Sequence, residues 1–341
     1  MNRRVLLVTG STPPDMCGVG DYTRSLALAL EKAGVRAEVF LHHRWGITGT
    51  FAAIRRLSEA EDALVHIQYP TEGYGYSLGP QLCSLVRPSV ATLHEFSLAH
   101  SLRKVSLLPF TLRSPYLVMT SEFEKRSLMA KMPWSGRRIR VIPVGSNLPA
   151  RRVLSEEPKK RIAYFGLIMP RKGLEDLIEF SNLVRKNGLD WETVIIGRIL
   201  SRHASYAKNL IDRSHPDRVR WILDRGPEEI SELLSRTTLG YFPFPDGASE
   251  RRGSLKAALA AGLPCITTRT GQTPPAMSEA VVFASTPVEA FELALRLVNS
   301  PEERRRLSQS ALDYARSFSW ETIAQAHVQL YRDASSFLDG N

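Results

Sequence analysis

Two doubly wound α/β domains in tandem are predicted by three features of the chain. Short apolar runs alternate with helix-period segments, a charged break falls near the middle, and 341 residues suffice for about two domains. The first alternation runs RVLLVT, GDYTRSLALALEKAG, VRAEVFL, TFAAIRRLSEA and ALVHI. It continues through QLCSLV, SVATLH, a mixed segment from Ser97 to Arg113, YLVMT, SEFEKRSLMAKM and RIRVIPV. Strand-length runs separated by amphipathic segments specify a parallel sheet covered by helices. Residues 149–160, PARRVLSEEPKK, are charged and proline-flanked with no apolar period, the composition of a linker. A second alternation follows, opening with a strand from Ile162 to Phe165 and passing through LEDLIEFSNLVRK, WETVIIG, RVRWILD, LGYFPF, LKAALAAG, PCITT and VVFA to two amphipathic helices. The domains are therefore expected at 1–150 and from 151 onward, with a cleft between their carboxyl strand ends, where open α/β sheets bind ligands.

Composition narrows the function classes. Hydrophobic content of 43% and charged content of 23% are ordinary for a globular protein. Val5 to Val8 is too short for the apolar segment of a signal peptide and reads as a first strand, and no run approaches the length of a membrane span. Cys17, Cys83 and Cys265 are far apart without a CxxC pair, which fits a reducing cytoplasm rather than a disulfide framework. No HExxH or DxD occurs, so no bound metal is expected. Net charge is +10, and residues 1–150 hold 18 basic against 11 acidic side chains, so +7 of the excess is there. Such a surface attracts nucleic acid, anionic lipid or a phosphorylated substrate. No helix-turn-helix, zinc-finger or RNP pattern supports nucleic acid.

Four constellations carry candidate chemistry. Gly18 and Gly20 are expected just before an apolar-periodic helix, where amides can approach an anion, although turn glycines also occur for shape alone. The spacing is not GxGxxG, which disfavours a dinucleotide cofactor. TLHEF puts His94 and Glu95 at a carboxyl strand end; a histidine there serves either catalysis or structural hydrogen bonding. FGLIMPRKGLEDLI places Arg171 and Lys172 at a helix start, where cations oppose the helix dipole unless an anion lies between. Strongest is FPFPDGASERRGSLKAALAAG. Glu250, Arg251 and Arg252 run into Gly253 and Ser254 at a helix start, and arginine forks plus free amides suit a diphosphate.

These segments resemble the retaining glycosyltransferases of family 4, and the resemblance spans nearly the whole chain. It rests on GVGDYTRSLALALEKAG, TLHEF, SEFEKRSL, RVIPVG, FGLIMPRKGLEDLI, DGASERRGSLKAALAAGLPCITT and FSWETIAQAHVQLYRDA. It implies a GT-B fold of two Rossmann-like domains, an acceptor domain at 1–150 and a donor domain at 151–317. The last helix, 318–341, is expected to cross back to the first domain. The implied reaction transfers a sugar from a nucleotide-diphosphate-sugar with retention and without metal or other cofactor. Gly18, Gly20 and Gly166 would lie at the donor phosphates, His94 beside the reacting sugar, Lys172 with Arg171 on the leaving phosphates, and Gly253 and Ser254 on phosphate through their amides. The sequence departs from the family twice. Leu167 follows Gly166 where arginine is usual, and Ala248 and Lys256 stand where paired glutamates are usual. Arg171, Arg251 or Arg252 then replace lost positive charge, and Glu250 or Asp246 a lost carboxylate. The departures also motivate an alternative, a non-catalytic nucleotide-sugar-binding subunit of a glycan-assembly complex.

The acceptor is expected in the first domain, where HIQYPTEGYGYSLGP offers Tyr69, Tyr74 and Tyr76 for stacking on a sugar. A glycan, a lipid-linked sugar or a small metabolite remain open as acceptors. SLAHSLRKVSLLPFTLRSP and EKRSLMAKMPWSGRRIR combine apolar residues with Arg103, Lys104, Arg113, Lys125, Arg126, Lys131, Arg137 and Arg138. That pattern reads either as a peripheral face for an anionic membrane or as ordinary helices with solvated charges.

Overall fold

The computed structural model describes residues 3–15, 17–146, 148 and 160–339. Most of the expected linker, residues 149–159, lies outside the described residues. The chain divides into two compact units, Met1–Gly145 with Phe318–Asn341, and Ser146–Ser317.

The first unit is built on β1 (Arg4–Thr9), β2 (Ala37–Leu41), β3 (Ala63–Tyr69), β4 (Val90–Leu93), β5 (Leu117–Met119) and β6 (Ile139–Val141). These strands pair in parallel in the order β2-β1-β3-β4-β5-β6. Between them lie α1 (Gly18–Lys32), α2 (Ile47–Glu59), α3 (Gly79–Val86), α4 (Ser101–Ser106), α5 (Leu108–Arg113) and α6 (Glu122–Met129). Alternate side chains of a strand face opposite sides, and the two cores follow that rule. Val5 and Leu7 pack with Tyr22, Leu26 and Leu30 of α1, while Leu6 and Val8 pack with Ala53, Leu57 and Phe110. Both faces are covered, so β1 reads as an unbroken apolar run. Ser121 caps α6 by accepting from the Glu124 amide at 3.1 Å.

The second unit contains β7 (Lys160–Ile168), β8 (Trp191–Ile199), β9 (Val219–Leu223), β10 (Leu239–Phe242), β11 (Cys265–Thr267) and β12 (Val281–Phe283). All pair in parallel, in the order β12-β11-β10-β7-β8-β9. Its helices are α7 (Leu174–Lys186), α8 (Ala204–Arg213), α9 (Pro227–Ser235), α10 (Gly253–Ala260), α11 (Pro287–Asn299) and α12 (Pro301–Arg316). The expected strand Ile162–Phe165 is too short: β7 stays paired with β8 through Gly166 to Ile168. Gly166 interrupts the apolar run, but the ladder continues through it to Leu167 and Ile168. α7 carries Glu175 and Asp176 in its first turn and Arg185 and Lys186 in its last, the arrangement that complements a helix dipole.

The closing helix α13 (Trp320–Asp339) belongs to the first unit and packs on α1. Ile323, Ala324, Val328, Tyr331 and Ala334 join the α1 face of that core. Their spacing of three and four residues lays one apolar stripe on the sheet.

Each sheet has a point where the connections reverse direction, between β1 and β3 in the first and between β7 and β10 in the second. Ligands of open α/β sheets bind outside the carboxyl strand ends at such points.

Candidate functional site

At the first switch point the turn after β1 meets the loop after β3. Gly10 donates its amide to Thr71 Oγ1 at 3.0 Å, and Gly73 donates to Ser11 Oγ at 2.7 Å. The backbones touch: a Cβ on Gly73 would fall 1.9 Å from the Gly10 carbonyl oxygen. The two glycines singled out in the sequence differ. A Cβ on Gly20 would meet the Ser11 carbonyl oxygen at 2.7 Å, whereas one on Gly18 would meet nothing within 4 Å. Gly20 is thus a packing glycine inside α1, and Gly18, the first helical residue, is the exposed one.

His94 follows β4 at the same edge and is almost wholly buried. Its ring stands edge-on to Tyr22 at 5.0 Å, and its Nε2 lies 3.0 Å from Gln68 Oε1. Gln68 Nε2 is 3.2 Å from His66 Nε2, which is also 2.7 Å from Thr92 Oγ1; His66 Nδ1 is 2.7 Å from Tyr331 Oη. The amide nitrogen only donates. His66 Nε2 therefore accepts, and its Nδ1 carries the proton toward Tyr331. The same amide presents its oxygen to His94, so His94 Nε2 donates and Nδ1 is left as an acceptor. Burial, aided by His327, pushes His94 down to about 3, and burial holds His66 well below the ordinary histidine range. His327 donates Nδ1–H to the Ile323 carbonyl at 2.8 Å and is held down at about 4 by burial. These rings are neutral at physiological pH, so His94 offers a directed dipole and a lone pair rather than a positive charge. Glu95, one residue on, is exposed.

Two acceptor candidates are corrected here. Tyr69 and Tyr74 are buried core residues stacked at 5.9 Å, with Tyr74 Oη donating to the Val8 carbonyl at 3.1 Å. Their rings fill the space between β3 and its loop and are not free for a sugar. Tyr76 is 96% exposed and keeps the stacking role available.

At the second switch point the loops after β7 and β10 bring cations together. Arg171 has φ of 66° and Gly173, which caps α7, has φ of 76°, so the chain turns sharply just beyond β7. A Cβ on Gly173 would overlap the Pro243 carbonyl, which seats this turn against the strand end of β10. Lys172 is half-buried, and desolvation with the nearby Arg252 charge lowers its pKa. Arg252 is lowered too, by burial and then by Arg171 against an opposing effect of Tyr164. Mutually opposed charges in one place demand an anion, and only part of that demand is met inside the protein. Arg252 pairs with Asp246 and lies 4.3 Å over the Phe244 ring. Asp246 thus answers part of the Arg252 charge within the protein. Arg252 also precedes α10, whose first turn has no side-chain cap. Amides there lack intrahelical acceptors and point outward. Gly166 sits where its Cα faces Ser254, so β7 runs directly beneath that helix start.

Glu250 and Arg251 do not join the cluster. Arg251 donates to Gln272 Oε1 at 2.8 Å, and Glu250 acts on Lys256 and Tyr314. Adjacent positions in an irregular loop point different ways, which a linear reading does not separate. Ala248 is fully buried, and Lys256 is only 2% exposed, its pKa pushed down to about 8 by burial against the attraction of Glu250. Sequence reading missed Gln68, His66 and His327; no local pattern marks them, because their bonds join residues as distant as His66 and Tyr331. Among the described residues no group of three or more His, Cys, Asp or Glu is arranged to hold a metal ion, and no helix is long and apolar enough to cross a membrane.

Residues 149–313 match the family profile described as glycosyl transferases group 1. The D-inositol 3-phosphate glycosyltransferase of Corynebacterium efficiens is 26% identical over 187 residues, 52% of this chain and 43% of that protein. Its counterpart in Corynebacterium glutamicum is 26% identical over 185 residues, 51% and 44% of the two chains. The matched stretch is less than half the length of either relative. Among solved structures, Anabaena Alr3699/HepE in complex with UDP superposes with a TM-score of 0.71 at 17% identity, covering 98% of this chain and 100% of that one. A glycosyltransferase from Rickettsia africae gives 0.73 at 12% identity, covering 98% and 99%. Sucrose-phosphate synthase from Thermosynechococcus elongatus gives 0.70 at 15%, again covering 98% and 99%. Two six-stranded parallel sheets flanked by helices are the architecture shared with these GT-B structures.

Proposed function

With residues 149–313 a group 1 glycosyltransferase domain in a GT-B chain, we propose that the protein moves a sugar from a nucleotide-diphosphate-sugar to an acceptor hydroxyl, with retained configuration and without metal. The carrying observation is the convergence of Arg171, Lys172 and Arg252 on the open start of α10 at the β7/β10 switch point. As the glycosidic bond breaks, negative charge grows on the diphosphate. Fixed cations and amides aimed there stabilise the transition state more than the ground state. HepE structures with UDP and UDP-glucose support a nucleotide-sugar as the donor class.

In this reading His94, neutral and oriented by Gln68, presents its Nδ1 acceptor to a sugar hydroxyl. The acceptor, a glycan, lipid-linked sugar or small metabolite, is held by the first unit. The protein works in the cytoplasm at the inner membrane face, a reading supported by exposed Leu98, Leu102, Val105 and Leu112 beside basic Arg103, Lys104 and Arg113. The buried Ala248 and Lys256 favour a second reading, a nucleotide-sugar-binding subunit without turnover.

Titration with a panel of nucleoside diphosphates, followed by turnover of the matching nucleotide-sugar, tests both. Lys172→Ala and Arg252→Ala are each expected to lower kcat/KM by about 10²-fold or more and to weaken nucleotide binding. Unchanged affinity and turnover in both variants overturn the phosphate site; tight binding with neither transfer nor hydrolysis selects the second reading.

A further inference from the structure

A cavity of about 680 Å³ opens in the first unit between α2, α3 and the loop after β3. Its size is that of a small-molecule site. Ile47, Phe51 and Ile54 line it from α2, at helical spacings of four and three, and Leu78 and Leu82 line it from the start of α3. Ile47 is 80% and Phe51 68% exposed although both face this concavity. Leu85 and Val86 extend the exposed apolar stripe along α3. Two apolar stripes, one from each helix, line this trough, and their side chains suit a hydrocarbon occupant. Apolar side chains left open inside a concave site carry an unmet hydrophobic driving force, about 25 cal/mol for each Å² that an occupant covers.

The trough adjoins the loop after β3, which packs against the candidate site of the same unit. Its floor includes Glu72, Gly73 and Tyr74. Gly73 rests on the turn after β1, and Tyr74 stacks on Tyr69, whose carbonyl accepts the backbone amide of His94 at 2.9 Å. Arg103 stands at the rim, its guanidinium 3.5 Å from the carbonyl of Gly75, another lining residue. A cation at the mouth of an apolar trough complements an anionic group attached to a hydrocarbon.

We propose that this trough binds the hydrocarbon chain of the acceptor, an amphiphile whose phosphate meets Arg103 and whose hydroxyl lies at the β1/β3 strand edge. The inference rests on the transferase reading and adds the acceptor's chemical class to it.

The test uses the full chain and farnesyl phosphate below its micellar concentration, with Trp45, which lines the trough, as the fluorescent reporter; Trp45→Phe supplies the blank. Saturable binding is expected, weakened at least tenfold by Ile47→Asp or Phe51→Asp, both exposed positions where a charge leaves the fold intact, and less strongly by Arg103→Gln. Inorganic phosphate at equal concentration should not compete. Absence of binding, or binding that ignores both aspartate substitutions, overturns the proposal. So does a wild-type dimer, seen by sedimentation, that Phe51→Asp dissolves, since the trough then holds a second copy; so does Phe51-dependent flotation with anionic vesicles when farnesyl phosphate itself does not bind. Nucleoside diphosphate affinity in the same samples separates the two readings. Farnesyl phosphate binding without nucleotide binding removes the transferase, and the reverse removes only the trough.

Discussion

The two switch points occupy equivalent places in their sheets, yet they are chemically opposite. At β1/β3 the edge is buried and neutral: His94, Gln68, His66 and Tyr331 form one hydrogen-bonded chain that leaves the His94 Nδ1 acceptor to spare. At β7/β10 the edge is charged and under-compensated: Arg252 lowers the proton affinity of Lys172, Arg171 lowers that of Arg252, and Asp246 answers Arg252. The fold thus decides where a ligand can sit, and the loop residues decide what charge it carries. A neutral edge orients hydroxyls; a cationic one holds a leaving phosphate.

Acid pH should separate the edges most strongly. His66, His94 and His327 all bind protons less readily folded than unfolded, where a histidine titrates near about 6.5. Their contribution is therefore fully present above about pH 6.5 and is lost as pH falls toward the folded values, about 4 for His327 and about 3 for His94. Each costs up to about 1.4 kcal/mol per pH unit in that window. Urea unfolding at pH 7 and 5 should show the loss, and His327→Gln should flatten it. A pH-independent midpoint would mean that the buried chain is not neutral in the folded protein.

The glycines at the first edge give a smaller effect, on the order of 1 to 3 kcal/mol. Gly20→Ala should lower the thermal midpoint because its Cβ meets the Ser11 carbonyl, whereas Gly18→Ala should leave it unchanged or slightly raised. If Gly18 nonetheless loses turnover on substitution, its amide serves the ligand; equal stability and equal turnover would assign it to the turn alone.

The smallest expected change tests the second edge away from its cation cluster. Lys256 titrates lower in the folded chain, about 8 against its ordinary 10.5, so stability rises with pH between those values. Lys256→Met should abolish that rise and leave stability at pH 7 unchanged or higher, since the buried cation gives up solvation that the Glu250 attraction does not fully return. A loss of several kcal/mol would show that the Glu250 attraction outweighs the desolvation.

Local patterns made much of the molecule legible. Short apolar runs bounded by helix-period segments announced both sheets. Arg171 and Lys172 stood out because cations at a helix start oppose the dipole, and Arg251 and Arg252 because arginine forks beside a helix start suit a diphosphate. Tyr69 and Tyr74 misled the reading for the converse reason: a tyrosine beside glycines looks like a loop aromatic, and only packing against Phe110 and Trp45 shows it to be core.

The amino-acid order by itself determined the alternation of elements, the parallel sheets and the cations available to an anion, because each depends on residues within one turn or one strand of each other. Tertiary structure alone decided that Arg252 joins Lys172 while Arg251 turns to Gln272, that His94 is held neutral by burial and oriented by Gln68, and that Ile47 and Phe51 line one trough with Leu78 and Leu82. Those outcomes depend on distances between segments dozens of residues apart and on burial, which converts a side chain's intrinsic chemistry into its working one.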